Sequence, residues 1–110
     1  MEKPVVKFEE FQRLDLRVGR IIAVERMEKS EKMLKLTVNI GKEERIIVAG
    51  IAGHYDADEL IGQKVVVLLN IAPRKILGVE SQGMILAAED GVLVSLLKPD
   101  KDVSEGSTIG

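Results

Sequence analysis

The chain predicts an all-β domain, rolled into a closed or nearly closed small barrel, and three observations carry that expectation. Short strand-like apolar segments recur along its 110 residues at the spacing of small barrels. Residues 34–40, Leu-Lys-Leu-Thr-Val-Asn-Ile, alternate apolar and polar side chains, the period of a half-buried strand. One short helix signal falls between the third and fourth strands, and no repeat or long linker divides them. At 12.1 kDa, residues 1–110 are sized as one domain that can bury a core without metal or disulfide staples.

Taken in order, Phe8-Glu9-Glu10-Phe11-Gln12 makes a short amphipathic helical turn. Its two rings stand three residues apart on one side and are expected to plug a core or a barrel end. The first strand spans residues 16–24, with Leu16, Val18, Arg20, Ile22 and Val24 on one alternation and Gly19 supplying a bulge or bend. In the second strand, residues 34–40, Leu34, Leu36, Val38 and Ile40 face inward while Lys35, Thr37 and Asn39 share the polar side. Gly41-Lys42-Glu43 separates it, at a hairpin's spacing, from the third strand at residues 45–49. Asp56 with Glu59 three positions later is a helix-capping pair, and the helix ends by Gly62. The fourth strand, residues 64–69, is unbroken in its apolar character, which implies burial on both faces. Residues 84–88 and 92–97 make a last hairpin across Glu89-Asp90-Gly91.

Composition removes several functions. There is no cysteine, so no disulfide framework and no thiolate metal site. His54 is the only histidine. A histidine-bridged catalytic triad would need it, yet it lies in Gly50-Ile51-Ala52-Gly53-His54-Tyr55, a loop that lacks both the phosphate-loop and the dinucleotide spacing. His54 reads as a surface residue. Asp56, Asp58 and Glu59 read as a helix cap rather than a cation site, so neither metal nor cofactor is expected. Met1-Glu2-Lys3-Pro4 opens without an apolar signal region, and no apolar stretch is long enough to span a bilayer, which makes an intracellular, cytoplasmic protein the expectation and a membrane partner unexpected.

The formal net charge is −2, so any attraction to nucleic acid must be local. Residues 1–75 carry 14 of the 16 Lys and Arg, and the adjacent cations Arg74 and Lys75 stand apart from the rest. They lie in residues 70–84, Asn-Ile-Ala-Pro-Arg-Lys-Ile-Leu-Gly-Val-Glu-Ser-Gln-Gly-Met, a segment delivered by one strand and taken away by another. Pro73 stiffens it, while Gly78 and Gly83 permit unusual angles. This reads as a shaped polar loop. Arginine's planar fork and lysine's point charge both suit phosphate.

The ordered segments Asp15-Leu16-Arg17-Val18-Gly19-Arg20-Ile21, Leu36-Thr37-Val38-Asn39-Ile40-Gly41, Glu44-Arg45-Ile46-Ile47-Val48-Ala49-Gly50-Ile51, Pro73-Arg74-Lys75 and Gly78-Val79-Glu80-Ser81-Gln82-Gly83-Met84 resemble the tRNA-binding domain of methionyl-tRNA synthetases. That domain is found free-standing, appended to the C-terminus or supplied as a β subunit. The resemblance covers about residues 8–110 and leaves 1–7 as a leader or linker. It implies a five-stranded oligonucleotide-binding (OB) barrel with short helices and extra C-terminal elements, usually a homodimer. It also implies a non-catalytic, cytoplasmic tRNA-binding module that raises the tRNA affinity of a methionyl-tRNA synthetase catalytic subunit or domain.

On that resemblance Lys32, Arg74 and Lys75 neutralise phosphates, Asn70, Ser81 and Gln82 hydrogen-bond backbone or ribose, and Met84 packs against RNA. Lys35 and Arg45, with Arg17 and Arg20, border the same face. The dimer contact is expected in residues 92–97 and the tail through Val103 and Ile109, whose alternative use is closure of the chain's own barrel. Two phenylalanines and one tyrosine are too few for a base-stacking platform, which favours folded RNA recognised through phosphate, ribose and shape. The alternative is a protein-interaction or chaperone-like OB dimer that uses an exposed apolar face.

Three departures from the family pattern stand out. Residues 27–34, Met-Glu-Lys-Ser-Glu-Lys-Met-Leu, keep Lys32 but lack a customary histidine, proline and aspartate. Ala49 stands where serine is frequent and Ala72 where a lysine often precedes the proline. One phosphate contact fewer is the expected result.

Overall fold

The computed structural model describes residues 2–110; Met1, the first residue of the expected leader, lies outside them. Strand β1 (Leu16–Arg26) is the longest and the hub of the sheet. Its first half pairs antiparallel with β4 (Lys64–Leu68), its second half with β2 (Leu34–Asn39), which in turn pairs with β3 (Glu44–Ala49). A two-residue strand, β7 (Met84–Ile85), adds to the far side of β4, giving the order β3-β2-β1-β4-β7. The sheet then curls until β3 meets the segment leading into β7, where the Gln82 N–H donates to the Ile46 carbonyl at 2.8 Å. The result is the nearly closed barrel that the strand pattern predicts, with the five strands that the family resemblance implies.

Two devices let so small a barrel curl. The β1–β2 register shifts between Ile21 and Ala23, so the bulge falls at Ile22 and not at Gly19. Ile21 is thereby turned inward and buried while Ile22 faces out, the reverse of the simple alternation. Gly19 has a different use: a Cβ there would stand 2.6 Å from Val38 Cγ1, so its missing side chain admits close packing across the barrel.

The core joins Ile21, Leu36, Val38, Ile47, Val65 and Val67, with Leu60 of α2 (Ala57–Leu60) closing one end. The Asp56 N–H donates to Glu59 Oε1 at 2.9 Å, the reciprocal cap that the sequence predicts. α1 (Phe8–Phe11) forms as expected but plugs nothing: Phe8 is 68% and Phe11 39% exposed. A helix of four residues is too short to lay a face on the core, and α1 leads into Leu16 beside Leu68, the end of the β1–β4 pairing opposite the one where α2 sets Leu60. β4 buries Val65 and Val67 but leaves Val66 half-buried, because only one of its faces meets the core.

The expected strand at residues 84–88 is divided. Met84 and Ile85 extend β4, whereas β8 (Ala87–Glu89) leaves to form a separate hairpin with β9 (Val94–Leu96). The C-terminal tail returns to the barrel, and β10 (Thr108–Ile109) pairs with Leu16 and Arg17. No helix among the described residues is long and apolar enough to cross a membrane.

Candidate nucleic-acid interface

The segment that follows β4 is itself built as a ribbon. β5 (Arg74–Ile76) and β6 (Val79–Ser81) pair antiparallel, Arg74 opposite Ser81, Lys75 opposite Glu80 and Ile76 opposite Val79. Two residues turn the chain: Leu77 at φ +50° and Gly78 at φ +84°. Two successive left-handed residues are the signature of the tight hairpin turn whose twist matches its strands. The sequence signal for it was the spacing of Ile76 and Val79 around a glycine, muted because leucine stands where asparagine usually does.

Four of the candidate residues fasten this ribbon and its neighbours to the barrel. Ser81 is 4% exposed; its Oγ accepts the Val48 N–H at 3.0 Å and lies 3.3 Å from the Gly83 carbonyl, to which it donates. Gln82 Oε1 accepts the Ile46 N–H at 3.1 Å, so side chain and backbone together continue the pairing with β3. Arg45 is bound by its own protein: Nε to Glu43 Oε1 at 2.7 Å, and Nη1 to the carbonyls of Leu69 at 2.7 Å and Gln82 at 3.2 Å. Asn70 accepts the Asp15 N–H at 2.8 Å and donates to the Arg13 carbonyl at 2.6 Å, tying the N-terminal segment to the end of β4 rather than pinning its own turn.

The other five look outward. Arg74, Lys75 and Lys32 are exposed, and their side chains have no ion pair or hydrogen bond among the described residues. Lys35 is half-buried with Nζ 4.0 Å from Glu25 Oε2. Met84 opens its strand 40% exposed, unlike the core methionine that strand position usually implies. A lateral row connects several of these positions. Arg74 pairs with Ser81, Ser81 bonds Val48, and Val48 pairs with Lys35.

Arg17 and Arg20 are engaged by the chain itself. Arg17 bonds Asp15 at 2.7 Å and the Gly106 carbonyl at 3.1 Å, and Arg20 bonds Glu105 at 2.8 Å. Lys64 completes that cluster, 2.6 Å from Asp102 and 3.6 Å from Glu105. The Lys64 hydrogen bond and charge hold the Asp102 carboxyl below its ordinary range. Glu105 is likewise lowered, first by a bond from its own backbone N–H and then by Arg20. These cations and carboxylates satisfy each other and clamp the tail.

Beside the ribbon runs an open groove of about 630 Å³, lined by Glu43, Glu44 and Glu80 as well as Arg45, Pro73 and Gln82. Carboxylates outnumber cations there, and the one cation is already neutralised. The loop at residues 27–33, despite its altered sequence, is ordered by Ser30, whose Oγ accepts the N–H groups of Lys32 at 3.1 Å and Met33 at 3.3 Å. The Lys32 carbonyl takes the Ala52 N–H at 3.0 Å, so that loop rests on the one leaving β3.

Comparison with known proteins places this geometry. Residues 16–108 match the family model described as "Putative tRNA binding domain". The chain is 54% identical over 108 residues to a methionine–tRNA ligase of Methanothrix thermoacetophila, covering 98% of this chain and 16% of the relative. It is 49% identical over 108 residues to the ligase of Methanosarcina mazei, covering 96% and 15%. The chain thus spans about a sixth of the length of these relatives. Among solved structures, a MetRS-related protein from Pyrococcus horikoshii superposes with a TM-score of 0.92 at 35% identity, covering 98% of this chain and all of that one. The chaperone CsaA from Bacillus anthracis superposes at 0.89 with 28% identity, covering 97% and 100%.

Proposed function

We propose, because this chain belongs to the tRNA-binding domain family, that it is a non-catalytic module which grips folded tRNA through the β5–β6 ribbon and raises the tRNA affinity of a methionyl-tRNA synthetase. One observation carries the site: Arg74 and Lys75 are adjacent, exposed and unpaired among the described residues, on a ribbon tied to β3 through Ser81 and Gln82. A small OB barrel presents nucleic acid to its second and third strands and to the loops after the first and fourth. Lys32 is on the first of those loops, Lys35 on β2, and Arg74 and Lys75 follow β4. A backbone already fixed in strands has less freedom to lose when its side chains meet a ligand.

In this reading Arg74, Lys75, Lys32 and Lys35 take phosphates, and Met84 packs on the sugar or base. Ser81, Gln82, Asn70 and Arg45 keep the ribbon in place, and the remaining amide hydrogen of Asn70 or Gln82 can reach ribose. The acidic lining of the groove repels phosphate, so the RNA backbone rides over the outer edge of the ribbon. Two phenylalanines and one tyrosine in the whole chain are few for a stacking platform, which favours recognition of a fixed array of phosphates over capture of a flexible strand.

Such a module would work in the cytoplasm beside the catalytic domain or subunit of the ligase. A homodimer belongs to the same proposal: Val92, Leu93 and Leu97 remain exposed, as do Phe8 and Phe11, although Leu96 and β10 are used within the chain's own barrel. Sedimentation showing only the 12.1 kDa species would remove the dimer. The same apolar residues and the likeness to CsaA favour, as a second reading, a protein-interaction module. Competition between intact tRNA and an unstructured RNA of equal length, at one salt concentration, separates the readings. Preference for tRNA is expected; equal binding would point to a general single-strand binder, and no binding to either would put the protein-interaction module first.

A further inference from the structure

We infer that Leu77, at the tip of the β5–β6 ribbon, is an RNA contact whose side chain packs as an apolar wedge on the face of an unstacked nucleobase. The inference rests on the ribbon being the RNA-binding element and adds a residue and a chemistry to it. Its starting point is a mismatch. The turn has only two residues, both left-handed, and that geometry favours asparagine or glycine at the first position. For leucine the left-handed region brings Cβ against the following carbonyl. No other non-glycine among the described residues has a positive φ.

Nor does the side chain belong to the core. Leu77 is 43% exposed and takes no part in the core cluster. The turn has open space beside it, since a Cβ built on Gly78 would meet nothing within 4 Å. Conformation and solvation would therefore both be better served by asparagine, and a residue disfavoured on both grounds points to a use in binding. The setting identifies the occupant. Three and two residues earlier stand Arg74 and Lys75, unpaired and suited to phosphate. A phosphate held there leaves its own or the next nucleoside beside the tip. Leucine is among the side chains that nucleic-acid-binding proteins place against unstacked bases, and folded RNA exposes such bases in its loops.

The test uses Leu77→Asn and Leu77→Met in the full chain, titrated with intact tRNA across a salt series beside the wild type. Leu77→Asn is expected to raise Tm by about 2–5 °C by relieving the turn. It should nevertheless weaken tRNA binding about fivefold through lost apolar contact, with the salt dependence unchanged because no phosphate contact is removed. Leu77→Met keeps an apolar tip and should bind within about twofold of wild type. Wild-type affinity in Leu77→Asn overturns the inference, as does a fall in Tm or a loss of salt dependence, either of which would mean that the ribbon itself was disturbed. Failure of the wild type to bind tRNA would remove the reading of the ribbon, and that arm alone decides it.

Discussion

Ser81 and Arg74 are register partners on one ribbon, yet their side chains have opposite fates. The Ser81 hydroxyl is enclosed and answers the Val48 N–H, a buried donor that would otherwise lack an acceptor. Leaving such a group unsatisfied costs about 1–3 kcal/mol. Ser81→Ala should therefore lower stability by about that amount, seen as a fall of several degrees in Tm. An unchanged Tm would show that the hydroxyl does not fasten β6 to β3. The Arg74 guanidinium touches no carboxylate among the described residues, and its removal should leave Tm nearly unmoved. A serine in a loop of this composition looks equally fit for solvent or core. Its burial depends on Val48, 33 residues away in sequence, and nothing local announces that.

At the scale of elements, the C-terminal tail is held by charge more than by apolar burial. Lys64 reaches both Asp102 Oδ1 and the Val103 carbonyl at 2.6 Å, and Arg20 holds Glu105. Beyond them, the Gly106 N–H donates to the Val18 carbonyl at 2.7 Å. Folding lowers the proton affinity of both carboxylates, so protonation favours the released tail. The contribution is whole at neutral pH, above the ordinary values of 3.8 for Asp102 and 4.5 for Glu105, and is lost as pH falls below them. Hydrogen exchange at Gly106 should accelerate, relative to core amides of β2, as pH is lowered through that range. Equal protection of Gly106 and β2 throughout would contradict the clamp.

The elements also show what local sequence can specify. β2 was legible because alternation over Leu34, Leu36 and Val38 is a local pattern with one solution. The α2 cap was legible for the same reason, since Asp56 and Glu59 meet within one turn. The bulge was legible in kind but not in place: a glycine suggested Gly19, whereas the pairing register with β2 puts it at Ile22. The β5–β6 ribbon reads in the sequence as a shaped polar loop and not as a hairpin, because Leu77-Gly78 lacks the usual turn residues. Phe8 and Phe11 suggested a plug by their spacing, but spacing within one helical turn does not say whether that turn packs on the barrel, and both rings stay exposed.

Across the whole molecule, a net charge of −2 would not draw a polyanion to the chain. What matters is how the charges are spent. Arg17, Arg20, Arg45 and Lys64 are consumed in holding the barrel and its tail, whereas Arg74 and Lys75 on the ribbon and Lys32 on the β1–β2 loop, like Arg26, Lys29 and Lys42, are exposed and make no ion pair among the described residues. The account therefore expects a few strong phosphate contacts on a rigid face, with a correspondingly modest salt dependence. If about four phosphates are engaged, log affinity should fall with log salt at a slope near −3. The most direct measurement is the tRNA affinity of wild type and Arg74→Ala/Lys75→Ala across a salt series, with Tm recorded for both. The prediction is an unchanged Tm, binding weaker by about tenfold or more, and a slope reduced to roughly half. Wild-type affinity and slope in a folded double variant would contradict the claim that these two cations hold the RNA.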